Sequence, residues 1–249
     1  VNPINKQKVA VLSGDGTSSL SFGEIWHFFE TQLKYPLTIL DTDYFSSVDL
    51  DAFDVLIIPN GYYSSILNKS GLEKVNKFSR NGGTVIAIGS ALRSFAGKDG
   101  FALKRKKATP DSKEKKTPNL TAYADQERAG ADNLITGAIF KSTVDATHPL
   151  AFGYEDSYFS LKLGSGTYEY LQNGSNVAYF DQDATNISGF AGKKALKNIP
   201  ESLLIGEERK GSGSIIYMVD NPLFRSFWEN GKLFLVNAIF FRNSSEIKR

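Results

Sequence analysis

Over the first 97 positions, apolar residues come in short unbroken runs separated by amphipathic stretches. The run KVAVLSG at 8–14 opens into the loop GDGTSS, after which Phe22, Ile25, Trp26, Phe29 and Leu33 recur at helical spacing. That pattern predicts a strand, a loop and an amphipathic helix. Pro36 ends the helix, LTILD at 37–41 predicts a second strand, and DVLIIPNG at 54–61 a third. Both read as apolar on both faces, the pattern of parallel strands buried between helix layers. Leu72, Val75 and Phe78 fall on one helical stripe that stops at Gly82 and Gly83, as a C-terminal cap requires, and TVIAIGS at 84–90 is the next strand. ALRSFAG predicts a short helix after it.

This order of elements implies right-handed crossovers and an open parallel sheet whose functional edge lies at the strand C-termini. The loops that begin at Gly14, Asn60 and Gly89 would line that edge. From 98 to 118 the chain becomes rich in lysine and poor in periodic apolar residues, which predicts an exposed, mobile insertion. Residues 135–181 alternate apolar and polar positions, the period of strands with one wet face. SLLIGEERKGSGSIIYMVD reads as a hairpin turning at Lys210 to Gly213, and 223–241 as largely helical, with Gly231 interrupting it. The expected fold is α/β, a three-layer, open, mostly parallel sheet with a mixed or antiparallel second half, in a single domain spanning 1–249.

Composition narrows the function classes. Apolar residues make up 41% of the 249 positions and charged ones 22%, as in a folded globular chain. A net charge of +2 gives no strong claim on nucleic acid or an anionic membrane. In the insertion, Lys104, Arg105, Lys106, Lys107, Lys113, Lys115 and Lys116 have no aromatic residues among them, so a solvated loop is expected rather than a stacking surface. The absence of cysteine excludes disulfides, thiolate metal sites and a cysteine nucleophile. No apolar run approaches the length of a transmembrane helix. The start at Val1, the single Met and the polar C-terminal tail suit a segment of a longer protein.

Three patterns carry possible chemistry. His27 and Glu30 have the H-x-x-E spacing of a zinc pair, with His148 further on, but they sit in an amphipathic helix with Phe28 and Phe29 between them. Polar residues of a helix explain the pair, and no metal is expected. GDGTSS has the placement of an anion-binding loop without the spacing of a phosphate-binding motif, and a tight turn explains it. Ser90, or an acid/base pair such as Asp15 and Glu24, could serve a hydrolase, although no histidine is placed to activate Ser90 and GSA is not a G-x-S-x-G elbow.

NKFSRNGGTVIAIGSA stands where the class I glutamine-amidotransferase-like fold delivers its cysteine on a sharp elbow, and the chain resembles that fold. The cysteine would fall at Gly89 or Ser90, and the His-Pro pair of the base is matched by Asn221 and Pro222. The strings GEIWHFFETQLKYP, LIIPNGYY, THPLAFGY and NPLFRSFWENGKLFLVNAIFF are similar to the amidotransferase-like domain C-terminal to the catalytic domain of secreted bacterial zinc carboxypeptidases. That resemblance implies a non-catalytic accessory or ligand-binding domain of a secreted or periplasmic peptidase. The catalytic domain of that peptidase would be its partner, and the chain would hold no cofactor. A strand-end cleft lined by Asp15, Asn60, Tyr62, Ser90 and Asn221 would take a small-molecule or peptide ligand, as topology places ligands in such folds. A hydrolase using Ser90, or a free-standing small-molecule or sugar-binding module, is the alternative.

Overall fold

The computed structural model describes residues 6–107 and 122–241. The described strands join in a ten-stranded sheet of order β2-β1-β3-β4-β10-β9-β7-β5-β6, with β8 also paired to β5. The parallel part comprises β1 (Val9–Ser13), β2 (Leu37–Asp41), β3 (Val55–Ile58), β4 (Thr84–Ile88) and β10 (Gly213–Met218). β9 (Ser202–Lys210) returns antiparallel on β10, and β7 (Ser175–Phe180), β5 (Ile135–Val144) and β6 (Ser157–Lys162) continue antiparallel from it. β8 (Asn186–Ala191) lies antiparallel on the first half of β5. β10 is therefore the seam: it is the last strand in the chain and it sits mid-sheet, parallel on one side and antiparallel on the other.

The apolar runs become buried strands because each lies between helix layers. β3 and β4 are buried along their whole length, and the stripe Leu72, Val75 and Phe78 of α2 (Lys69–Arg80) is buried as expected. The β1-to-β2 connection moves one way along the sheet and the β3-to-β4 connection the other, so right-handed crossovers place α1 (Ser19–His27) and α2 on opposite faces. α3 (Tyr123–Ala131) leads into β5, and α4 (Lys193–Leu196) follows β8. α5 (Glu229–Phe240) lies beside the continuation of α1, where Tyr35 and Phe240 meet edge to face at 5.1 Å.

Four local expectations change. β2 is not apolar on both faces: it is an edge strand with one neighbour, and Thr38, Ile39 and Asp41 are exposed. The short helix at ALRSFAG is a 3₁₀ segment that begins earlier, at Gly89–Ser94. Gly231 lies inside α5 rather than breaking it, because a methyl group there would stand 2.3 Å from the Pro222 carbonyl oxygen and the helix packs on that loop. The Lys-rich stretch divides. Through residue 107 it is held down, with Leu103 fully buried, Lys106 N–H donating to Thr167 O at 3.0 Å and Glu169 N–H to Lys104 O at 2.9 Å. Residues 108–118 lie outside the described residues.

The antiparallel half curls over the carboxyl end of β10. Asp220, two residues past that strand, accepts from Lys162 Nζ at 3.0 Å and from Ser160 Oγ at 2.7 Å, both on β6 at the far end of the strand order. Lys162 is 1% exposed, and its ammonium also faces the Phe180 ring at 5.9 Å. α5 fills the curl: Phe234 stacks on Tyr154 at 4.0 Å and meets Tyr158 edge to face at 5.1 Å, and Asn237 Nδ2 donates to Leu150 O and Phe152 O. A buried pair broken on one side strands an unpaired charge, which costs roughly 3–5 kcal/mol. Lys162→Met is expected to lower stability by about that much, and Lys162→Met with Asp220→Asn to recover a large part. Chemical denaturation of both variants checks this, and an unchanged midpoint in Lys162→Met would show that the pair does not tie the halves.

Candidate functional site

In a sheet of order 2-1-3-4 the ligand crevice opens between β1 and β3, where the chain reverses its direction of winding. Here the two loops that should flank the crevice are stitched together. Tyr62 N–H donates to Gly16 O at 2.7 Å, Ser18 N–H donates to Asn60 O at 2.9 Å, and Thr17 and Gly61 form an antiparallel bridge. The approach is so close that a Cβ on Gly16, whose φ is +80°, would lie 2.3 Å from Tyr62 O. The glycines of GDGTSS thus serve a loop-to-loop seam, and Ser18 caps α1 by accepting from Ser21 N–H. Tyr63 locks the same seam from below. It is 1% exposed, its hydroxyl donates to Pro59 O at 3.0 Å, and burial pushes its phenol up to about 12.

Beyond the seam, β4 ends in a sharp turn of the elbow type. Ile88 is extended, Gly89 has φ +62°, and a 3₁₀ turn starts at once. This is the conformation in which a strand-to-helix turn presents a nucleophile, with the following N–H serving as an oxyanion donor. That N–H belongs to Ser90, and it donates to Asn60 Oδ1 at 2.8 Å. A Cβ at Gly89 would lie 2.6 Å from the same oxygen. The Asn60 side chain therefore crowds any Cβ at Gly89 and holds the Ser90 N–H.

Asn221, where the resemblance expects a base, is bonded in a similar way. Asn221 follows β10, and its Nδ2 donates to Glu24 Oε2 at 2.5 Å while its Oδ1 accepts from Leu223 N–H at 3.0 Å. Glu24, 8% exposed on α1, uses its other oxygen to accept from Arg225 N–H at 2.7 Å. It holds a loop in which Arg225 and Ser226 both have left-handed backbones, φ +48° and +59°. Such strain persists only where neighbours over-determine it.

Of the five residues expected in one cleft, Asn60 and Ser90 are in direct contact, and Asn221 is held by Glu24. Tyr62 is 65% exposed, with the Arg93 guanidinium 5.3 Å from its ring centre. Asp15 is exposed on the other side of the seam, in a cavity beside β2 and α2. Asp15 and Glu24 make no contact that would couple them as acid and base, since both Glu24 oxygens are taken by Asn221 and Arg225. Neither histidine bonds to Ser90. His27 is exposed on α1, whereas His148 accepts from Leu150 N–H at Nδ1 and faces Glu207 through Nε2 at 3.2 Å. No group of three or more potential metal ligands converges among the described residues. Sequence reasoning missed Glu24 as the anchor of Asn221 and Asn60 as the partner of the Ser90 N–H. Both act through contacts across more than 29 positions of chain, and no local motif marks them.

No protein-family model and no curated protein sequence matches the chain. Among solved structures, it is similar to a ThuA-like protein from Parabacteroides merdae, at 14% identity and a TM-score of 0.57 over 94% of this chain and 89% of the other. It is also similar to a GMP synthase component from Thermoplasma acidophilum, at 14% identity and a TM-score of 0.54 over 94% of each chain. A β-galactosidase from Bacillus circulans sp. alkalophilus matches at 12% identity and a TM-score of 0.53, over 94% of this chain, which spans 30% of the enzyme's length. Identities this low speak to fold alone, and the fold is of the class I glutamine-amidotransferase-like kind.

If Asn60 and the elbow compete for one space, the two positions must be energetically coupled. Gly89→Cys alone is expected to destabilise by about 2–3 kcal/mol, from the left-handed backbone and the contact with Asn60. Asn60→Gly alone is expected to cost about 1–2 kcal/mol by leaving Ser90 N–H unpaired. The double variant should cost less than the sum, by about 1 kcal/mol or more. Denaturant titrations of the four proteins measure this, and strict additivity would mean that the contact carries no energy.

Proposed function

We propose that this chain is a non-catalytic, ligand-binding accessory domain that has kept the amidotransferase-like scaffold and lost its chemistry. One observation carries the reading: Asn60 Oδ1 accepts the Ser90 N–H and would lie only 2.6 Å from a nucleophile's Cβ at Gly89. Covalent catalysis at this elbow needs a nucleophile, a base within hydrogen-bond reach and a free oxyanion donor. All three requirements fail at once, since Gly89 has no side chain, Asn221 is bonded to Glu24, and the donor is occupied. Ser90 does not restore the set, because no histidine bonds to it and its own N–H is bonded to Asn60.

The match to 30% of the β-galactosidase supports an appended role, since the same fold there is one part of a much longer enzyme. The partner proposed for this chain is the catalytic domain of a secreted or periplasmic zinc carboxypeptidase, on the strength of the sequence resemblance. Any metal would then belong to that domain.

Two measurements test the proposal. A panel of glutamine, simple amides and activated esters is expected to show no turnover that disappears in Ser90→Ala. Turnover abolished by that substitution would replace the reading with a serine hydrolase. The native reading frame is expected to encode a peptidase domain upstream, and a complete free-standing frame would contradict the accessory role.

A further inference from the structure

We propose that the cavity on the β2 side of the seam is a binding site for a neutral polyhydroxylated ligand of monosaccharide or cyclitol size. This inference deepens the ligand-binding reading above by assigning its site and ligand class. The cavity has a volume of about 420 Å³ and opens at the carboxyl ends of β1 and β2 and the start of α2. Small-ligand sites run from roughly 300 to 1,000 Å³ and in open α/β sheets lie at these strand ends. With the β1/β3 crevice stitched shut, a described opening at this edge is displaced one strand outward.

The wall chemistry selects the ligand. Asp15 and Asp43 contribute exposed carboxylates, Ser46, Ser65 and Ser70 contribute hydroxyls, and Ile66 supplies an apolar side. Thr42, 3% exposed, belongs to the same wall, and its Oγ1 has no hydrogen-bond partner among the described residues. Lys74 is the cation of this wall, yet its three N–H donors go to Phe45 O, Ser46 O and Val48 O. Its hydrogen-bond donors are thereby committed to the loop after β2, leaving none to bond an anion directly.

An anionic ligand would meet two carboxylates with no free ammonium to offset them. An ammonium ligand, which only donates, would leave the serine donors unused. A polyol both donates and accepts: its hydroxyls can donate to the carboxylates, in the stronger charge-assisted kind of bond, and accept from the hydroxyls of Ser46 and Ser65. The first turn of α2 does not by itself make the site. Its cap is internally satisfied, with Asn68 Oδ1 accepting from Gly71 N–H and from Ser70 Oγ.

Backbone NMR of the whole chain, titrated separately with glucose, galactose, myo-inositol, choline and inorganic phosphate, tests the inference. At least one of the neutral polyols is expected to shift the amides of Asp15, Asp43, Ser46 and Ser70 saturably. Asp43→Asn and Asp15→Asn, both at exposed positions, are expected to weaken that binding about tenfold each, as the loss of a charged acceptor implies. Sugar-induced shifts confined to Tyr62, Ser90 and Arg93 would overturn the site while leaving the ligand-binding reading intact. Saturation by choline or phosphate at Asp15 and Asp43 in place of the polyols would overturn the ligand class. No saturable shift with any probe would overturn the inference altogether, whereas failure of the non-catalytic reading shows separately, as Ser90-dependent turnover.

Discussion

Two consecutive side chains at the carboxyl end of β10 hold this molecule together. Asp220 reaches to Lys162 and Ser160 on β6, and Asn221 reaches the opposite way to Glu24 on α1. The first bond set closes the antiparallel half over α5, and the second ties the loop after β10 to the parallel half. Each involves a charge held at low exposure, so each has a partner because an unpaired one would be too costly to keep. The strained backbone at Arg225 and Ser226 follows from the second tie, since Glu24 takes the Arg225 N–H and fixes the loop in that shape.

The same constraint explains the site. An elbow after β4 turns the Ser90 N–H out of the strand ladder, and in an enzyme such a donor waits for developing negative charge. Here a side-chain amide from the neighbouring loop satisfies that donor. Gly89 is then favoured twice over, once for its φ of +62° and once because a Cβ would crowd Asn60. The β1/β3 seam extends the principle, as backbone groups that could have met a ligand meet each other.

Much of the scaffold was legible in the sequence. Unbroken apolar runs marked β1, β3 and β4, a helical stripe marked α2, and the glycine turn at Lys210 to Gly213 marked the β9–β10 hairpin. β2 misled because LTILD has the composition of a central strand, while its edge position depends on which strands lie beside it. Gly231 misled because propensity argues against glycine in a helix, whereas a close approach to Pro222 demands it. For the site, Gly89 and Asn221 could be read from the sequence as the positions at which the resemblance expects a nucleophile and a base. What fills them could not, since Asn60 meets Ser90 and Glu24 meets Asn221 only after the sheet has formed. Asp15 lies with Asp43 and α2, across a seam that no local pattern announces.

The central claim is that the turn after β4 and the loop after β10 are both closed by internal hydrogen bonds, and native-state amide exchange measures that directly. The Ser90 and Arg225 N–H groups lie in loops, where unbonded amides exchange rapidly, and each is expected to exchange roughly a hundredfold or more slowly because Asn60 and Glu24 hold it. Protection of Ser90 is expected to vanish in Asn60→Ala, and that of Arg225 in Glu24→Ala. Exchange of both amides at free-loop rates in the unmodified chain would contradict the claim and leave the elbow open for chemistry.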